Sequence, residues 1–120
     1  MLVVLGHFTS CTTNSRRSSI DTVKSIGYQK ILAEASILRE NVHHDTLVVS
    51  FQKWPDSFQL LNPLQVHYHS HGFKLLMTKF IGQEQGLFVI TEQNFHIPDL
   101  PEVTYESISK GIYWYEDYRE

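Results

Sequence analysis

The stretch LQVHYHSHG, residues 64–72, has the most regular pattern in the chain. Leu64, Val66, Tyr68 and Ser70 alternate with Gln65, His67, His69 and His71. Side chains of a strand point alternately to opposite faces, so the pattern predicts a β-strand with a histidine ladder on one face. Two further period-two runs flank it. In residues 46–52, Leu47, Val49 and Phe51 share a face, and residues 73–81 carry apolar groups on both faces. The β-branched and aromatic content of these runs fits strands. Asn62-Pro63 marks entry to the histidine strand, and Trp54-Pro55-Asp56 closes the strand before it. Residues 82–86, GQEQG, read as a hairpin loop by their glycines, with a further strand over 87–91.

Helical spacing appears on both sides of this core. Ile20, Val23, Gly27, Ile31, Ala35 and Leu38 recur every three or four residues, which predicts one helix capped by Ser19 and ended near Asn41. A helix costs about 1 kcal/mol at an internal glycine, so Gly27 marks irregularity. Ile108, Gly111, Ile112, Tyr115 and Tyr118 have the same spacing and predict a C-terminal helix over 104–118. Residues 1–5 read as an edge strand and residues 9–19 as a polar loop, within which Arg16 and Arg17 are a solvated pair or a phosphate contact. Short connections between strands favour antiparallel pairing. The expected fold is α+β: an antiparallel sheet of about four strands, flanked by an N-terminal and a C-terminal helix. Helices cover one face of such a sheet and leave the other for the histidines.

A chain of 120 residues with 42% hydrophobic and 19% charged side chains forms one folded domain, residues 1–120. Its formal charge of −3 argues against a general nucleic-acid binder, which needs a basic face to displace counterions. One cysteine, Cys11, allows no intrachain disulfide and no four-cysteine zinc site. The apolar opening is too short to span a membrane and lacks the flanks of a secretory signal, so the expected location is cytoplasmic. No P-loop, dinucleotide-type glycine pattern or serine-hydrolase elbow is present.

Two features carry chemistry. The first is the ladder. Imidazoles two residues apart on a strand suit a metal ion, but neighbours stand ~7 Å apart and the outer pair ~13.5 Å apart. Zinc–nitrogen bonds are ~2.0 Å, so His67, His69 and His71 cannot all serve one ion. Further ligands would come from His96, Glu84, Glu92 or the pair His43 and His44. The paired patterns His7-Phe8-Thr9 and His44-Asp45-Thr46 are weaker candidates for phosphate chemistry. The second feature is the aromatic, acidic C-terminus. One helix face cannot bury Tyr105, Tyr113, Trp114, Tyr115 and Tyr118 together: Tyr115 and Tyr118 fit the core stripe with Ile112, while Tyr113 and Trp114 point elsewhere. Exposed aromatics on an end made acidic by Glu116, Asp117 and Glu120 suit a protein interface, with Tyr113, Trp114 and Tyr118 as its candidates. The expected function is a small interaction or regulatory module. It would use the C-terminal helix, the histidine face or both, bind another protein or a second copy of itself, and need no cofactor. The alternative is a metal-binding protein or metal-dependent hydrolase on the HxHxH run, with zinc or another divalent transition metal activating water. No residue is identified as catalytic.

Overall fold

The computed structural model describes residues 11–42, 47–92, 95–97 and 100–119. The expected edge strand over residues 1–5, and His7, His43 and His44, lie outside them. Among the described residues, three α-helices precede a five-stranded antiparallel sheet. They are α1 (Cys11–Ile26), α2 (Tyr28–Glu40) and α3 (Asp56–Leu61). The strands are β1 (Gln65–His69), β2 (Gly72–Phe80), β3 (Gln83–Ile90), β4 (Val103–Ser109) and β5 (Ile112–Asp117), in the spatial order β1-β2-β3-β5-β4.

The predicted single N-terminal helix is two. Gly27 stands between them at φ 97°, a left-handed conformation that breaks a right-handed helix and that only glycine adopts cheaply. The apolar stripe survives the break, since Val23, Ile31, Ala35 and Leu38 are all buried. The polar run over 11–19, expected as a loop, is the first half of α1. Its Ser15 hydroxyl meets that of Thr78 at 2.9 Å, and Arg16 Nε donates to Glu106 at 3.0 Å, so the arginine is an ion-pair partner of β4. The expected strand over 46–52 shrinks to one isolated bridge, Val48 to His67, followed by a 3₁₀ turn over Phe51–Lys53. Short α3 ends at Asn62, left-handed at φ 56°, which turns the chain into Pro63 and β1.

The largest correction is at the C-terminus. Residues 104–118 are not a helix but most of the β4–β5 hairpin, turning at Lys110-Gly111 with Gly111 at φ 86°. Alternation in β5 governs burial: Ile112 and Trp114 enter the helix-side core, and Tyr113 and Tyr115 take the other face. Burying a large aromatic or aliphatic side chain gains about 1.5–3 kcal/mol, and a strand here buries both of its faces. The helix-side core unites Val23, Ile31 and Phe58 with Phe73, Leu87 and Trp114. Close packing of the strands is visible at Gly72, where a Cβ would stand 1.9 Å from the carbonyl oxygen of Val89. Among the described residues no helix is long and apolar enough to cross a membrane.

Candidate functional site

The face of the sheet opposite the described helices carries the histidine strand and Tyr113 of the C-terminal aromatic run. β1 is a strand, and its ladder is real over two members, with His67 and His69 on this face. The third, His71, lies in the two-residue turn between β1 and β2, where His69 pairs with Gly72. The turn folds His71 back, so its ring centroid is 5.5 Å from that of His69, closer than a straight ladder allows.

Each ring has a local partner. His67 Nε2 is 2.7 Å from Gln65 Oε1. His69 Nδ1 accepts the backbone N–H of His71 at 3.1 Å. His71 Nδ1 is paired with Glu92 Oε2. An Nδ1 that accepts a hydrogen bond leaves the proton of a neutral imidazole on Nε2. Burial, followed by the charges of Lys74, His71 and Arg39, pushes His69 from 6.5 down to about 4. Geometry points the same way, because protonating Nδ1 would break the bond from His71. His96 is exposed in the segment after β3, and among the described residues no three His, Cys, Asp or Glu side chains converge as they would on a metal ion.

The apolar and aromatic residues of this face form two tiers. Phe88, Ile90 and Tyr115 are buried against the sheet. Over them lie Phe95, Tyr105 and Tyr113, each half-buried. Ring contacts run from His69 to Phe88 at 4.8 Å, Phe88 to Phe95 at 5.3 Å, and Phe95 to Tyr113 at 6.1 Å. Tyr105 continues the series, 6.5 Å from Tyr113 and edge-on to it. Aromatic pairs at 4.5–7 Å add about 0.5–1.5 kcal/mol each beyond burial. The backbone that carries Phe95 is fixed at its start, where Thr91 N–H donates to the carbonyl of His71 at 2.9 Å.

The three C-terminal aromatics separate. Trp114 is 2% exposed on the opposite, helix-side face, and its Nε1 donates to Glu116 at 3.1 Å. Tyr118 is exposed beyond the end of β5, with its hydroxyl on Glu116 at 2.6 Å. Tyr113 alone joins the histidines.

Lys74 of β2 is a further member of this face that the strand pattern alone does not single out. It falls on the histidine side of the β1–β2 pair, opposite His67. Its ammonium lies 5.3 Å from the Phe88 ring centre and 5.0 Å from that of Tyr115, within cation–π range. Burial holds its pKa below the ordinary lysine value, against the opposing pull of Asp117. The signal was present in residues 73–80: a lysine flanked by apolar residues in a run buried on both faces has its stem in the protein and needs a local reason for its charge.

A concavity of about 450 Å³ lies at the end of the sheet, between α2 and the aromatic tier, lined by Leu32, Ile90, Phe95, Lys110 and Tyr113 among others. Arg39 of α2 closes its neighbourhood, donating to the His69 carbonyl at 3.3 Å, to Thr91 Oγ1 at 3.1 Å and to the Ser70 carbonyl. Comparison with protein-family models, with curated proteins and with solved structures finds no match for this chain.

Proposed function

We propose that the chain is a non-enzymatic interaction module that docks another protein on the sheet face opposite the described helices. The observation that supports this reading is the outer tier: Phe95, Tyr105 and Tyr113 form one series of ring contacts with Phe88 and His69, yet each keeps part of its surface in solvent. Large amphipathic rings, rigid and half-exposed, are the side chains that dominate binding energy at protein interfaces. The recognition surface is therefore the sheet face shared by β1 and the β4–β5 hairpin, in place of the helix expected from the C-terminal sequence.

Site-specific photo-crosslinking tests the reading. A benzophenone amino acid is placed at Tyr113 and, as a control, at Gln29 on the solvent side of α2. The expected result in an extract of the source cells is a discrete cross-linked species from position 113 and none from position 29. Equal labelling from both, or none from position 113, would overturn the proposal.

A further inference from the structure

Among the described residues, Lys74 is a cation of this face that meets two rings and no acid within ion-pair distance. Its nearest charged neighbours are already matched. Asp117 is held by Arg119 through bonds of 2.8 and 3.0 Å, and Glu84 is paired with Lys79 at 3.7 Å. Among the described residues no carboxylate lies within 4.0 Å of the Lys74 ammonium. Two ring faces attract the charge but do not accept its three hydrogen bonds. A partly desolvated ammonium without a carboxylate is costly, and a carboxylate delivered into the same aromatic setting offsets that cost.

We infer that Lys74 is the anchor for a carboxylate of the docked partner, and that the docking segment carries an aspartate or glutamate between apolar side chains. The inference rests on the proposal that this face binds protein. The apolar neighbours of the acid meet Tyr113, Phe95 and Tyr105, while the acid reaches Lys74. A second copy of the chain fits less well. A two-fold interface sets residue i against residue j of the other copy, and Asp117, Glu84 and Glu92 are already paired with Arg119, Lys79 and His71, so none of them is free to meet Lys74.

The experiment is a selection from a displayed library of random 12-residue peptides on the full chain. Enriched peptides are then measured by fluorescence anisotropy against wild type, Lys74→Met, Lys74→Arg and Tyr113→Ser. Near-UV circular dichroism confirms that each variant keeps the native packing. The expected peptides share an Asp or Glu beside Leu, Phe or Trp. Lys74→Met weakens them by roughly tenfold, as for a charge pair shielded from water. Lys74→Arg retains binding within a few fold, and wild-type affinity falls as salt rises. Changing the acid of the peptide to its amide gives the same loss, with no further loss on Lys74→Met.

Peptides without an acid that tolerate Lys74→Met but are lost on Tyr113→Ser would overturn the inference and leave the docking face standing. A dimer in sedimentation that Tyr113→Ser dissociates would overturn it in favour of a second copy. Failure to enrich any peptide sensitive to either position would remove both the inference and the face.

Discussion

His69 shows burial, charge and hydrogen bonding acting on one ring. Its Nδ1 is an acceptor for the His71 N–H, its edge meets Phe88, and Lys74 and Arg39 lie near enough to oppose a third positive charge. All of these favour the neutral form, and burial is the largest. The folded ring titrates at about 4, against 6.5 for a free one. Between those values the unfolded chain binds a proton that the folded chain refuses. Stability therefore stands at its full value above pH 6.5 and falls as the pH drops toward 4. One pKa unit corresponds to about 1.4 kcal/mol at full effect, and solvent screening of a half-buried ring lowers the expected loss to about 1–2 kcal/mol. Urea unfolding at pH 7.5 and pH 4.5 measures it, with His69→Asn as the non-titrating comparison. The variant should lose less stability than wild type across that interval. Equal losses in the two proteins, or a His69 ring that titrates near 6.5 by NMR, would refute the assignment.

At the scale of elements, the C-terminal hairpin decides what the aromatic residues do. Trp114 fills the helix-side core beside Leu87 and Ile112, so Trp114→Ala should cost about 3–5 kcal/mol through the cavity it leaves. Tyr118→Ala, at a side chain 47% exposed, should stay within about 0.5 kcal/mol. Urea midpoints of the two variants check the contrast, and a Trp114→Ala protein as stable as wild type would contradict the hairpin. Residues 104–118 misled because two periods coexist there. Ile108, Ile112, Tyr115 and Tyr118 match a helix, while Ile112 and Trp114 against Tyr113 and Tyr115 match a strand. The local pattern cannot choose between them, and β3 does, by pairing Leu87 with Trp114 and Val89 with Ile112. The histidine strand was legible because its alternation has no helical reading. The helix break was half legible: Gly27 announced a local cost, but the left-handed turn is a tertiary outcome. The isolated bridge at Val48 marks the opposite error. Its apolar alternation is that of a strand, yet Trp54 draws the chain inward, with its Nε1 on the Val49 carbonyl at 3.1 Å, before a second ladder can form. The site followed the same rule. Its members on β1 could be read directly, whereas Phe95, Tyr105 and Lys74 belong to it only through the strand order β1-β2-β3-β5-β4.

At the scale of the whole molecule, Arg39 joins the helical layer to the turn beside the aromatic face of the sheet. Arg39, in the last turn of α2, reaches the end of the sheet, where its guanidinium spans the carbonyls of His69 and Ser70 and the hydroxyl of Thr91. It also lies 5.4 Å over the Tyr68 ring. These acceptors lie in or beside the turn that holds His71, and His71 in turn carries Glu92, the Phe95 contact and the N–H of Thr91. The position of the aromatic tier is thus coupled to the docking of α2 on the sheet. A planar guanidinium serves divergent acceptors together, whereas a lysine ammonium is a point charge on a flexible stem. Both Arg39→Lys and Arg39→Met should therefore destabilise the fold, by about 1–2 kcal/mol for lysine and about 2–3 kcal/mol for methionine, since hydrogen bonds from a charged donor are worth about 1.5–3 kcal/mol and part of this group is solvated. The diagnostic is local. Amide exchange at Thr91 and His71 should accelerate in Arg39→Lys by more than the global loss of stability accounts for, while exchange in the β3–β5 ladder follows the global value alone. Uniform acceleration across the sheet would show that Arg39 adds stability without positioning the turn, and would separate the face from the helices that stand behind it.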